Sequence, residues 1–182
     1  MRPHLWISSK KQDKGLWILF FAMLIVGLVL DQLAPPGGWL ALEFPALVEP
    51  APGNAPASWT PGQREAVLFG LGLDFLYLII YPLFLSLLCG RASQHWKLPG
   101  WLARTSLFFS GLVLFAMPLD ALENFGLYFL IRGNSSEALQ WFISCVSALM
   151  WSITLAACFV GAACIVSKLW PSGSRLRRKL GG

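Results

Sequence analysis

The stretch PLDALENFGLYF, from Pro118 to Phe129, lies inside a long apolar run and places Asp120, Glu123 and Asn124 within about one turn of helix. Around it the chain is apolar almost throughout. Hydrophobic residues make up 56% of the 182 positions and charged residues 13%, and the mean hydropathy is +0.62, a balance that excludes an ordinary soluble domain. Nine Trp and thirteen Phe fit a membrane protein, because indole rings favour the water-lipid boundary and Phe the hydrocarbon. Two carboxylates and a carboxamide therefore stand where lipid or a bundle interior is expected.

Four runs reach the length of about 20 residues that crosses a hydrocarbon core of roughly 30 Å: Leu16 to Leu33, Ala66 to Cys89, Leu102 to Ile131 and Ala138 to Leu169. The expected fold is all-α, a single polytopic four-helix transmembrane bundle over residues 1–182. The last two runs exceed the minimum, so they are expected to tilt, kink or project. Pro118 is the expected kink, because it removes a backbone donor and crowds the preceding turn. The two helical hairpins share no spacing of polar residues that would mark a repeat.

Basic residues set the orientation. Arg2, Lys10, Lys11 and Lys14 precede the first span, Arg91, Lys97 and Arg104 flank the second loop, and Lys168, Arg175, Arg177, Arg178 and Lys179 lie in the tail, whereas the first and third loops hold only Arg64 and Arg132. This asymmetry predicts that both termini are cytoplasmic. The first run has the basic start of a signal peptide, but its Asp31-containing end lacks a small-residue cleavage site, so a retained helix is expected. The tail SGSRLRRKLGG is read as holding the cytoplasmic surface against anionic lipid, not as binding nucleic acid.

The external loop from Ala34 to Gly62 holds seven of the twelve prolines and is expected to be irregular. Within it, GGWLALEFPALV is apolar enough to dip into the interface or to cap the bundle, and a surface anchor is preferred to a lid. Cys89, Cys145, Cys158 and Cys164 fall in or at the ends of helices without metal-ligand spacing and read as small apolar fillers. His4 and His95 lie in basic segments, no Gly-rich phosphate loop is present, and no metal or cofactor is expected. The Asn134-Ser-Ser triplet matches a glycosylation acceptor, a pattern too short to carry an inference.

Depth and helical spacing bring the polar residues together. Asp120 and Glu123 lie about 8 to 11 residues before Ile131, roughly 12 to 17 Å deep at 1.5 Å per residue. Asp74 lies at a comparable depth on the second helix, and Asp31 closes the first on the same side. Residues at i, i+3, i+4 and i+7 share a face. That rule groups Gly70, Asp74, Tyr77 and Tyr81 on the second helix, Ala116, Asp120, Glu123, Asn124 and Leu127 on the third, and Ser144, Ser147, Trp151, Thr154, Cys158 and Gly161 on the fourth. The small and hydroxyl residues of the fourth suit close helix approach.

A charged side chain at mid-membrane costs roughly 2.5–3.5 kcal/mol on insertion scales, and no Lys, Arg or His lies deep enough to pair with these acids. Repulsion and desolvation then favour shared protons, leaving at least one acid neutral and able to donate a hydrogen bond. The competing explanation is that Asp120, Glu123 and Asn124 stitch helices together as polar glue. Tyr77, Tyr81 and Trp151 complete the candidate ligand-binding set with Asp31, Asp74, Asp120, Glu123 and Asn124, although aromatic residues on a helix face more commonly pack a core.

The segments LVLDQL, LDFLYLIIYP and PLDALEN carry a resemblance. The layout resembles uncharacterised bacterial four-span membrane proteins with an Asp-x-x-Glu-Asn signature late in the third helix, and more remotely the emopamil-binding and sigma-2-receptor-like superfamily. The first resemblance implies a bacterial inner membrane. The second implies a cavity for sterols or cationic amphiphiles, with Asp31 and Asp74 as amine-binding acids. Its isomerase branch relies on a His, which no span here contains, so binding without that chemistry is what carries over. The expected function is an intramembrane acidic pocket, open to the external leaflet, that binds a lipid or amphiphile. The alternatives are an accessory subunit meeting another membrane protein, or a small lipid-modifying enzyme using paired carboxylates whose environments differ.

Overall fold

A computed structural model describes residues 9–47 and 56–169, without the side chains of residues 9–13 and 95. Arg2, His4, the side chains of Lys10, Lys11 and His95, and the basic tail from Ser172 lie outside the described residues. The elements are α1 (Ser9–Gln32), α2 (Trp39–Glu43), α3 (Pro61–His95), α4 (Gly100–Leu112), α5 (Ala116–Ile131) and α6 (Glu137–Leu169), with short 3-10 turns at Pro56–Ser58 and Val113–Phe115. No strand occurs among the described residues. Four helical stretches are long and apolar enough to cross a membrane: Lys14–Gln32, Pro61–Gln94, Gly100–Ile131 and Glu137–Leu169. By length and composition the chain is a multi-pass membrane protein.

The second span begins before its apolar run does. The Thr60 hydroxyl accepts from the Gln63 backbone at 3.3 Å while the Gln63 carboxamide accepts from the Thr60 backbone at 2.8 Å. With Pro61 in the first turn this is a capping box, which satisfies helix-end donors that hydropathy cannot register. The third span is interrupted one turn ahead of Pro118, in the 3-10 turn Val113–Phe115. Pro118 itself sits in the first turn of α5, where a missing N–H is tolerated.

Helix α3 is the hub, packing on α1, α4, α5 and α6, while α6 also packs on α4 and α5. Helix α1 rests chiefly on α3 and leaves Trp17, Phe21, Ile25 and Leu28 exposed, a face suited to lipid. Where α5 meets α6, Gly126 allows a close approach, since a Cβ built there would lie 2.7 Å from Ile143 Cγ1.

In the segment after α1, the described residues are turns around one short helix, and that helix takes the capping position more than that of a surface anchor. Gly37 and Gly38 take φ of 93° and 83°, a left-handed conformation that turns the chain back. Helix α2 then lies across the bundle, with Leu42 in a core shared with Trp59, Val67, Leu127, Leu130, Ile131 and Ile143. The Trp39 indole packs on Gly70, where a Cβ would meet its ring at 3.1 Å, and donates to the Leu30 carbonyl at 3.0 Å. The Ser147 hydroxyl lies 3.1 Å from the Glu43 carbonyl, and the Ala46 amide donates to the Ser144 hydroxyl at 3.3 Å. With Trp39 turned onto α1 and α3 and Leu42 into the core it shares with α5 and α6, α2 sits as a cap, while Leu40 stays exposed on its outer side.

Candidate functional site

Beneath α2 lies a cavity of about 550 Å³ walled by α1, α3, α5 and α6. Asp31, Asp74, Tyr77, Tyr81, Asp120, Glu123, Asn124 and Trp151 all line it. Residues that helical spacing groups on separate helices are thus brought to one cavity, whereas Gly70, Ser144, Ser147 and Gly161 of the same faces lie outside its lining.

The acids occupy graded positions. Asp31 is exposed at the rim, Asp74 is half-buried, and Asp120 and Glu123 are buried, at 5% and 2% exposure. Asn124 donates its Nδ2 to Asp74 Oδ2 at 2.7 Å, linking α5 to α3. The Tyr81 hydroxyl donates to Asp120 Oδ2 at 3.0 Å, a second link between the same helices. The Asp74 and Asp120 carboxyls thus lie on the same wall, each held by a donor of the facing helix. Tyr77 packs against Tyr81 with ring centroids 5.3 Å apart.

Glu123 differs from the other acids. Its Oε2 is fully buried and has no hydrogen-bond partner in the protein. The carboxyl group neighbours the Ser147 hydroxyl, but that single proton already faces the carbonyls of Ile143 at 2.9 Å and Glu43 at 3.1 Å. A hydroxyl carries one proton, so it cannot serve all three acceptors at once.

A fifth acid, Glu43, escaped the sequence reading. It reaches the cavity from α2, and its Oε2 accepts from the Trp151 indole at 2.7 Å, so cap and wall are joined through the site. Burial raises the Glu43 carboxyl above its ordinary value of 4.5; the Trp151 hydrogen bond opposes this, and the nearby Asp74 charge adds to it. The available signal was an acid alone in the apolar segment GGWLALEFPALV, which has no reason to face lipid. Thr154 and Cys158, grouped with the α6 face from sequence, also line the cavity, and Met23, Gly27, Phe84 and Leu85 close its end away from α2.

None of the lining residues is Lys, Arg or His, so five carboxyl side chains share the cavity without a basic side chain in its wall. No group of three or more His, Cys, Asp or Glu suited to a metal ion occurs among the described residues. No family model matches this chain, and neither a curated protein nor a solved structure does.

Proposed function

We propose that the cavity binds an amphiphilic small molecule or lipid whose polar head satisfies the acids and whose tail lies among the apolar residues. The single observation that carries this reading is a cavity of about 550 Å³ whose wall holds five carboxyl side chains and no basic one, among them Glu123, buried to 2% exposure with no partner for its Oε2. A buried acceptor without a donor costs about 1–3 kcal/mol, more if charged, and a ligand donor that draws the Glu123 carboxyl toward the cavity would recover it. The volume falls within the roughly 300–1,000 Å³ common for small-molecule sites. A wall that is acidic near α2 and apolar near Met23, Phe84 and Leu85 complements a head and a tail. The resemblance to the emopamil-binding and sigma-2-receptor-like layout points the same way. The Lys and Arg asymmetry supports a mouth on the external side of the membrane, and the resemblance to bacterial four-span proteins a bacterial inner membrane.

The test is mass spectrometry of the protein released gently from its native membrane, compared with an Asp120→Asn, Glu123→Gln double variant. The expected result is a bound amphiphile carried by the parent and lost in the variant. A stoichiometric protein partner lost instead, with no small molecule on either sample, would overturn the reading and make the chain an accessory subunit.

A further inference from the structure

We infer that α2 is a hinged lid: it swings from Gly37 and Gly38, is latched to α6 by Glu43 on Trp151, and governs when water on its side of the membrane reaches the acid-lined cavity. This rests on the binding reading above and deepens it, by giving the site a door.

The short helix has unfilled volume on two of its faces. Trp39 and Glu43 line the large cavity, whereas Ala41 and Leu42 line a second one of about 200 Å³, which Pro56, Trp59 and Gln140 also line. A helix packed closely all round has nowhere to go. This one has space behind it as well as beneath it, and Leu40 between those faces is 63% exposed.

The chain enters α2 through two glycines in the left-handed region, with φ of 93° and 83°. Pro35 is buried just before them, with its own φ fixed by its ring. Nothing lies within 4 Å of where a Cβ would stand on Gly38. Rotation about the glycine pair is therefore opposed neither by a side chain of their own nor, at Gly38, by a neighbour.

The other end of the helix is tied to α6. Glu43 Oε2 accepts from Trp151 Nε1 at 2.7 Å, the Ser147 hydroxyl lies 3.1 Å from the Glu43 carbonyl, and the Ala46 amide donates to the Ser144 hydroxyl at 3.3 Å. The Ser147 proton also faces the Ile143 carbonyl at 2.9 Å, and the Ala46 bond is long. The indole-to-carboxyl bond is thus the firmest of the three. Trp151 and Thr154 both line the cavity and stand about one turn apart on α6, so releasing the latch uncovers the site directly.

The experiment uses the full chain in phosphatidylcholine nanodiscs, with Thr154→Cys as a reporter inside the cavity and Cys158→Ala to remove the other lining thiol. The probe is a trimethylammonium-ethyl methanethiosulfonate, which is permanently charged and does not cross lipid, and modification is read site by site by mass spectrometry. Slow modification is expected with the latch intact. Trp151→Phe should accelerate it about tenfold, the factor that one hydrogen bond to a carboxyl group implies. Adding Glu43→Ala should accelerate it little further, because both substitutions open the same latch. Cys145, exposed on α6 outside the cavity, should react alike in every form.

The lid can also be pinned. The Ala46-to-Ser144 hydrogen bond puts the two Cα atoms within about 7 Å, close enough for a disulfide to span. In Trp151→Phe with Ala46→Cys and Ser144→Cys, oxidation should restore slow modification and reduction should release it, on one and the same folded protein. Equal rates with and without the latch would overturn the inference. So would an acceleration that oxidation leaves untouched, since water would then enter past the rim at Asp31, and so would the absence of modification in every form. None of these outcomes requires a bound amphiphile, so failure of the lid leaves the binding reading standing, and the comparison of native-membrane samples decides that reading separately.

Discussion

The two halves of the bundle hold their helices together by different means. Away from α2, the segments 82–95, 100–112 and 157–169 contain no Asp or Glu. Short hydroxyls there reach backbone carbonyls directly: Ser86 to Ser110 at 2.6 Å and Ser106 to Cys89 at 2.7 Å. Small residues such as Ala92, Ala157 and Cys164 are fully buried. Nearer α2, side chains pair with side chains around an open volume, and one acid is left without a donor. Membrane helices of this chain can evidently be stitched without carboxylates, since one half does so. The acids of the other half therefore need another reason to be there, which is the argument against polar glue as their whole role.

Several substitutions would break or sharpen that contrast. The largest effect is expected at Gly126, behind the cavity, where an alanine Cβ would press on Ile143, a β-branched and fully buried side chain that cannot yield. Gly126→Ala should cost about 1–3 kcal/mol, measured by thermal unfolding in detergent. Gly161→Ala in the other half should cost less, because its Cβ would meet only Leu88 Cδ2, at 3.1 Å on a flexible side chain. Equal losses would show that the two α6 contacts are equivalent.

A smaller effect is expected from Ser106→Ala, which removes one hydroxyl-to-carbonyl stitch. Hydrogen bonds between membrane helices average about 0.6 kcal/mol, and this variant should lose about that much stability by thermal unfolding in detergent. A loss as large as that of Gly126→Ala would mean the two halves are coupled.

Smaller still is a pH effect at the cap. Because burial raises the Glu43 carboxyl, its contribution to seating α2 is complete below the ordinary value of 4.5 and is lost as pH rises through the raised value. Hydrogen-exchange protection of Trp39–Glu43 should therefore fall with rising pH, and Glu43→Gln should remove that part of the dependence. An unchanged profile in the variant would leave Asp74 and Glu123, the neighbouring acids, as the source.

The smallest loss is expected where glue would predict a large one. Glu123→Met removes a buried, unpartnered acid and its repulsion of nearby carboxyls, so the ligand-free stability should equal or exceed the parent's. A drop larger than that of Ser106→Ala would assign Glu123 a structural role after all.

Much of this was legible before the fold. The spans follow from the length of apolar runs. The faces that group Asp74 with Tyr77 and Tyr81, and Asp120 with Glu123 and Asn124, follow from helical period, since a helix fixes the angle between residues along it; that these faces meet did not follow from the sequence. The end of the second span was misjudged because capping by Thr60 and Gln63 is polar and invisible to hydropathy. The break in the third span was expected from Pro118, which crowds the turn before it, and the 3-10 turn Val113–Phe115 falls in that preceding turn.

What the sequence determined by itself was local and periodic: four apolar stretches, their polar faces, and the absence of a deep base to neutralise the acids. What only the tertiary structure decided was non-local. Glu43 lies 108 positions before Trp151 and shares a hydrogen bond with it, and no pattern within either segment could pair them. The seat of α2, the volume beneath it and the unpartnered oxygen of Glu123 all depend on which surfaces the packed helices leave uncovered, and that is settled only when side chains from five helices compete for the same space.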